Sequence, residues 1–186
     1  MLGLSQGVSS SAGIFERLPV VSYLSDFSST TDGFTAYDSR TDSVDLGVSL
    51  TPNIDFEGKT DVLKIAWSNN DADGLFFIRR SFPDLDDQDG EAIAVTFSAD
   101  IYYDEFTVTG DIATLAGAGA PITSANNIFL DEVAQDEWVT ISGSKTLSAS
   151  TFDQYLYIGI ADSFQKPKSG DEMYITNISF TFQDIG

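Results

Sequence analysis

The chain has 186 residues, of which 42% are apolar and 12% aromatic, so it has the length and composition of one folded domain with a sizeable core. It carries 29 acidic against 9 basic side chains, a formal net charge of −20, which disfavours nucleic acid and anionic membrane surfaces as partners. It contains no histidine and no cysteine, which excludes the Ser-His-Asp triad, thiol chemistry, disulfides and histidine-ligated zinc.

The first residues predict an N-terminal arm over 1–16, followed by a single domain over 17–186, because this opening segment is rich in Gly and Ser. It has no basic stretch followed by a sustained apolar run, so we expect no secretory signal. No apolar run in the chain approaches the ~18–20 residues of a bilayer span. We predict that the arm contacts other chains in an assembly through its larger side chains: Met1, Leu2, Leu4, Val8, Ile14 and Phe15.

From Leu18 onward, apolar and polar residues alternate, and turn residues interrupt the pattern every 8–12 residues. The clearest strand is 91–104, in which Val95 and Phe97 share a face and Thr96 lies on the other. Further strands are predicted over 61–68, 74–82, 137–147, 153–161 and 171–182, with weaker ones near 18–24, 34–37, 44–50 and 126–131. The pattern predicts an all-β, two-sheet sandwich with these residues buried: Leu63, Ile65, Trp67, Val95, Phe97, Ile101, Val139, Ile141, Ile158 and Ile178.

Residues 110–127 break this pattern, because they include the small-residue run Ala116-Gly-Ala-Gly-Ala-Pro121 and carry no charge after Asp111. We predict a long loop here. It either crosses one end of the sandwich or forms a contact in an assembly.

Two acidic loops are candidate cation sites. Residues 69–74 place oxygen-bearing side chains at alternate positions before a glycine, and 84–91 contain five carboxylates in eight residues. The candidate calcium ligands are Asp71, Asp73, Asp87 and Asp89. The alternative is that both loops are solvated turns without a metal, and the predicted fold requires no cofactor.

The aromatic residues are candidates for stacking on a sugar ring. Trp67 is in phase with the apolar face of its strand and is assigned to the core, whereas Trp138 is out of phase with Val139. Trp138, Tyr102, Tyr155 and Tyr157 are therefore the candidate sugar platform, although an aromatic-rich sandwich would also use them for packing. Paired carboxylates can hydrolyse glycosides, but the sequence marks no such pair, so we assign no catalytic residue and predict that the protein is not an enzyme.

Three stretches resemble the paired strands of carbohydrate-binding-module jelly rolls: Val62–Trp67, Gly74–Arg80 and Glu137–Thr146. The resemblance extends over about 18–182, and it implies an antiparallel jelly-roll β-sandwich with a glycan as ligand. Many such modules carry an acidic residue near a structural calcium in the closing strand. This chain has Thr176 there, so the resemblance does not extend to that metal site.

The N-terminus, Met-Leu-Gly-Leu-Ser followed by Gly and Ser, is similar to the starts of small structural proteins of tailed bacteriophages. This resemblance implies a non-enzymatic virion protein, a capsid decoration (cement) protein, that folds in the host cytoplasm and resides in the particle. Its partners would be the capsid shell, other virion proteins and further copies of itself. The alternative function is a carbohydrate-binding module or lectin-like domain, and a small carboxylate glycosidase or lyase is a third.

Overall fold

A computed structural model describes residues 21–38, 47–68, 76–81, 93–103, 113–118, 127–132, 134, 136–147, 155–160 and 169–184. Within these ranges the chain forms strands and no helix. The strands are β1 (Val21–Leu24), β2 (Thr35–Asp38), β3 (Val48–Phe56), β4 (Lys59–Trp67), β5 (Phe76–Ser81), β6 (Ile93–Tyr103), β7 (Ala113–Ala118), β8 (Asn127–Glu132), β9 (Val139–Leu147), β10 (Tyr155–Ile160) and β11 (Glu172–Asp184). No helix in the part of the chain described here has the length and hydropathy of a membrane span.

The strands form two antiparallel sheets. Sheet I has the order β3-β4-β11-β6-β9, and β1 also pairs with β11, beyond the end of the β4 pairing. Sheet II has the order β2-β5-β10-β7-β8. The two sheets form a jelly-roll β-sandwich, and the predicted fold class is confirmed.

The core lies between the inner faces of the two sheets and follows the predicted alternation. In β6, Val95, Phe97 and Ile101 are at most 3% exposed, whereas Thr96 on the opposite face is exposed. Nine of the ten predicted core residues are buried, and the tenth, Val139, is partly buried against the same cluster.

The connection from β1 to β2 crosses from sheet I to sheet II and is fixed by Asp32. The Asp32 carboxylate accepts hydrogen bonds from the Tyr23 hydroxyl and the Asp26 amide, and forms an ion pair with Arg80 at 2.9 Å. Burial and the hydrogen bond to Asp32 raise the pKa of Tyr23, against the opposing charge of Arg80. These contacts hold the connection against both sheets.

The prediction of a loop throughout 110–127 is wrong for β7, which pairs with β10 on one side and β8 on the other. Sequence patterning misses this strand because its residues are small and do not alternate between apolar and polar. Backbone hydrogen bonds to two neighbouring strands form the ladder, and these do not depend on side-chain size.

Strand β3 extends to Phe56, beyond the predicted end near residue 50. The register of its pairing with β4 shifts around Asn53, which has a positive φ of 58°. The turn into β4 is Glu57-Gly58, both with positive φ, and Phe56 pairs with Lys59 across it. A two-residue turn of this kind matches the twist of a hairpin, so it fixes where Phe56 and Lys59 lie.

Candidate functional site

Aromatic side chains lie on the outer faces of both sheets, outside the core. On sheet II the residue pairing aligns Thr35 of β2, Arg79 of β5, Tyr157 of β10 and Gly117 of β7 in one row across four strands. We call Thr35, Tyr37, Arg79 and Tyr157 the sheet II cluster. Ile158, adjacent to Tyr157, is buried in the core, so Tyr157 itself lies on the outer side.

The sheet II cluster joins two tyrosine rings to a cation. The rings of Tyr37 and Tyr157 have centroids 5.4 Å apart at an interplanar angle of 56°. The guanidinium carbon of Arg79 lies 4.2 Å from the centroid of the Tyr37 ring, a cation–π contact. Tyr37 and Arg79 are half-buried, whereas Tyr157 is only 4% exposed and supports the other two.

Two glycines lie next to Tyr157 on this face. Gly117 is its partner in β7, and Gly159 follows it by two residues in β10. Because glycine has no side chain, neither position adds a side chain beside the rings. Glycine within a strand often marks a site where a ligand or another backbone approaches closely.

On sheet I, four rings form a second group, Phe56, Tyr102, Trp138 and Tyr174, which we call the sheet I cluster. Phe56 stacks on Tyr174 with centroids 3.6 Å apart and planes 5° from parallel. Tyr102 lies edge-on to Phe56 at 4.9 Å and to Trp138 at 5.6 Å. Tyr174 is 5% exposed, and the other three rings are half-buried.

Asp100 is the centre of a polar network beside the sheet I cluster. Its carboxylate accepts hydrogen bonds from Lys59 Nζ at 2.6 Å, Thr140 Oγ1 at 2.5 Å and Asn177 Nδ2 at 2.7 Å. Desolvation raises the pKa of Asp100, but the three donors and the Lys59 charge outweigh it and leave the pKa below its usual value. Lys59 Nζ also lies 4.8 Å from the centroid of the Trp138 ring.

The backbone of β11 places Asn177 in this network. The pairing of β11 with β6 shifts between Thr176 and Ser179, and Asn177 adopts a positive φ of 51°. Such a bulge redirects a side chain without ending the sheet. The neighbouring Thr176 is 5% exposed, and its hydroxyl donates to the carbonyl of Asp61.

A second ion pair lies at the other side of Tyr174. Lys64 Nζ is 2.5 Å from Glu172 Oε1, and the Tyr174 hydroxyl donates to Glu172 Oε2 at 2.5 Å. Desolvation raises the pKa of Glu172, but the bonds from Lys64 and Tyr174 lower it by more, so the carboxylate is favoured.

The four candidate platform residues do not form one surface. Tyr102 and Trp138 meet on sheet I, whereas Tyr157 and Tyr155, which pairs with Ser81, belong to β10 of sheet II. The platform therefore stays a prediction, now divided between two opposite faces.

Five residues of these two clusters were not among the platform candidates from the sequence: Thr35, Tyr37, Arg79, Phe56 and Tyr174. Phe56 follows an irregular stretch of β3, and Tyr37 lies in a short strand with a weak pattern. Spacing along the chain gives no signal for these contacts, since each depends on a neighbouring strand.

The remaining predicted sites lie outside the described residues. This holds for the calcium candidates Asp71, Asp73, Asp87 and Asp89, and for the assembly residues of 1–16. Within the described ranges no group of three or more acidic, histidine or cysteine side chains is arranged to hold a metal ion. Calcium binding and assembly through the arm both stay predictions.

Comparison with solved structures gives the same fold in carbohydrate-binding domains. The CBM22-1 xylan-binding domain of Paenibacillus barcinonensis Xyn10C aligns with a TM-score of 0.54 at 13% identity, over 89% of this chain and 95% of that one. The C-terminal family 22 carbohydrate binding module of Clostridium thermocellum Xyn10B aligns with a TM-score of 0.57 at 15% identity, over 88% of this chain and 92% of that one. A further family 22 xylan-binding domain aligns with a TM-score of 0.55 at 15% identity, over 88% of this chain and 94% of that one.

The sequence matches no protein-family model and none of the curated proteins. At 13–15% identity, the structural alignments establish the fold and not the ligand. The resemblance to carbohydrate-binding-module jelly rolls is confirmed at the level of fold. These alignments give no support to the resemblance to phage structural proteins, and the virion interpretation stays a prediction.

Proposed function

We propose that the protein is a non-catalytic carbohydrate-binding module whose glycan binds on the outer face of sheet II at Tyr37 and Arg79. The observation that supports this most directly is the Arg79 guanidinium lying on the half-exposed Tyr37 ring, beside strand positions that have no side chain.

The chemistry of this cluster suits a sugar. The apolar face of a pyranose ring packs against an aromatic side chain, and its hydroxyl groups need fixed hydrogen-bond partners beside that contact. Arg79 offers a planar array of N–H donors, and the hydroxyls of Thr35 and Tyr37 both donate and accept.

The ligand class is a neutral polysaccharide. The chain carries a net charge of −20, which repels a polyanionic glycan. The domains that share the fold are described as xylan-binding, and xylan is therefore the first polymer to test.

Tyr157 acts as a positioning residue in this proposal. At 4% exposure it offers little surface to a ligand, but its ring contacts Tyr37 and its backbone pairs with Arg79. Replacing Tyr157 should therefore weaken binding through the placement of Tyr37.

Isothermal titration calorimetry with xylan, cellulose and mannan oligosaccharides tests the proposal, with an oligogalacturonate as the anionic contrast. We expect Arg79→Gln to weaken neutral-glycan binding by roughly 10- to 100-fold, the effect of losing hydrogen bonds from a charged donor. Tyr37→Ala should weaken the affinity for the same oligosaccharides by up to about tenfold. Ser28→Ala is the control, since Ser28 is exposed and lies between β1 and β2, outside the strands of both sheets.

Melting curves establish that each variant is folded. Binding of the anionic oligosaccharide in preference to the neutral ones would contradict the proposed ligand class. Unchanged affinity in both sheet II variants would contradict the proposed site.

A further inference from the structure

We propose a second glycan-binding surface on the outer face of sheet I, which takes one uncharged polysaccharide chain and lets a single domain bridge two chains. It consists of the sheet I cluster followed by rows of hydroxyl side chains on β11, β6 and β9. It uses none of the residues of the sheet II cluster, and only the bridging of two chains rests on the proposed site there.

The aromatic part presents one ring as a platform. Phe56 lies flat on the buried Tyr174, so only the opposite face of Phe56 is available to a ligand. Tyr102 and Trp138 are half-exposed and stand at 79° and 72° to Phe56. A sugar ring that packs on Phe56 is therefore flanked by two further rings.

A charged donor lies at the edge of this platform. Lys59 Nζ lies over the Trp138 ring, and among the described residues it donates a hydrogen bond to Asp100. An ammonium group carries three N–H donors, so a sugar hydroxyl at this position has a donor within reach. Asp100 fixes the position of Lys59 and thus prepares the site.

Beyond Asp100, the same face is covered by hydroxyl groups. The pairing of β6 with β9 and β11 places Ser98, Ser142 and Ser179 in one row, and Thr96, Ser144 and Thr181 in the next. None of the six is charged, although the chain has 29 acidic and 9 basic side chains. Hydroxyls donate and accept, as the hydroxyls of a neutral sugar also do.

The dimensions favour a polymer chain over a protein partner. From Tyr102 to Thr96 the surface runs for about 20 Å along β6, and three strands give a width of about 10 Å. This area of about 200 Å² is roughly a quarter of the ~800 Å² that each partner contributes to a standard protein interface. A long narrow surface with rings at one end matches an extended oligosaccharide.

The test is the number of oligosaccharides bound by the whole chain. Calorimetry with neutral xylo-, cello- and manno-hexasaccharides should give two binding sites per chain for at least one of the three. Trp138→Ala and Phe56→Ala should each remove one site and leave the other. Ser142→Lys, which changes an exposed position in the hydroxyl rows, should weaken the same site at least tenfold without affecting folding.

Two controls separate this surface from the sheet II cluster. Ser28→Lys alters an exposed serine between β1 and β2 and should change neither site. Arg79→Gln should remove only the other site. Wild-type protein should also make a long soluble neutral polysaccharide turbid by bridging chains, and every single-site variant should fail to do so.

Each pattern of loss has a distinct meaning. One site that Trp138→Ala and Ser142→Lys remove, but Arg79→Gln does not, supports this surface and contradicts the site on sheet II. If the chain binds one oligosaccharide and only Arg79→Gln removes that binding, the present proposal is overturned. No binding of any of the three hexasaccharides overturns both.

Discussion

Replacement of Asp100 by Ala should destabilise the domain by about 3 kcal/mol. The substitution removes the common acceptor of Lys59, Thr140 and Asn177, each at 2.5–2.7 Å. Hydrogen bonds to a charged group contribute roughly 1.5–3 kcal/mol each when well buried, and they are not additive. Since the side chains of Asp100 and Lys59 are 12% and 29% exposed, the total should lie near the lower end of the ~3–5 kcal/mol for breaking a buried pair.

Lys59→Met should cost only about 1 kcal/mol, because Asp100 then keeps its two uncharged donors and water reaches the vacated position. Urea denaturation measures both effects as a shift of the midpoint with an unchanged m-value. Asp55→Ala is the matched control, because Asp55 is an exposed carboxylate on β3 and should change stability by less than about 0.5 kcal/mol. If Asp100→Ala were no more destabilising than Asp55→Ala, the network would not stabilise sheet I.

The pH dependence gives an independent check. The pKa of Asp100 is lowered in the folded state, so its stabilising contribution is present above the unfolded pKa near 4 and is lost as the pH falls further. The difference in unfolding free energy between wild type and Asp100→Asn should be largest near neutral pH and should shrink below about pH 4. A difference that stays constant down to pH 2 would contradict the lowered pKa.

Two further predictions concern the core and the acidic loops. Phe97→Ala should destabilise the fold by roughly 3–5 kcal/mol in urea denaturation, since Phe97 is 3% exposed and its loss leaves a cavity. A destabilisation below about 1 kcal/mol would contradict its place in the core. We expect EDTA to leave the melting temperature unchanged, as for ordinary turns; a decrease that calcium reverses, and that Asp71→Asn or Asp87→Asn abolishes, would instead identify a calcium site.

Strand positions in this chain follow closely from alternation in the sequence. The strand predicted over 91–104 is β6 at Ile93–Tyr103, and Trp138, out of phase with its neighbours, lies outside the core. Each of these depends on a local property, the side of a strand on which a residue lies, and a period of two is sufficient to determine it.

The parts that were missed depend on contacts between distant segments. Strand β7 is defined by its pairing with β8 and β10, and Phe56 is placed by a left-handed turn after an irregular stretch of β3. The candidate platform was divided between two faces for the same reason. Alternation shows that Tyr102 and Tyr157 both point outward, but it does not show that their strands belong to different sheets.

The position of β11 has a consequence for how the domain folds. This last described strand lies inside sheet I, between β6 on one side and β4 and β1 on the other, and it pairs Val21 with Phe182. During synthesis, sheet I therefore lacks its central strand until residues 172–184 have left the ribosome, and β4 and β6 keep unpaired edges until then. Because closing such long loops is entropically costly, folding should be a late, cooperative event on the millisecond-to-second scale, and chains shortened before β11 should aggregate.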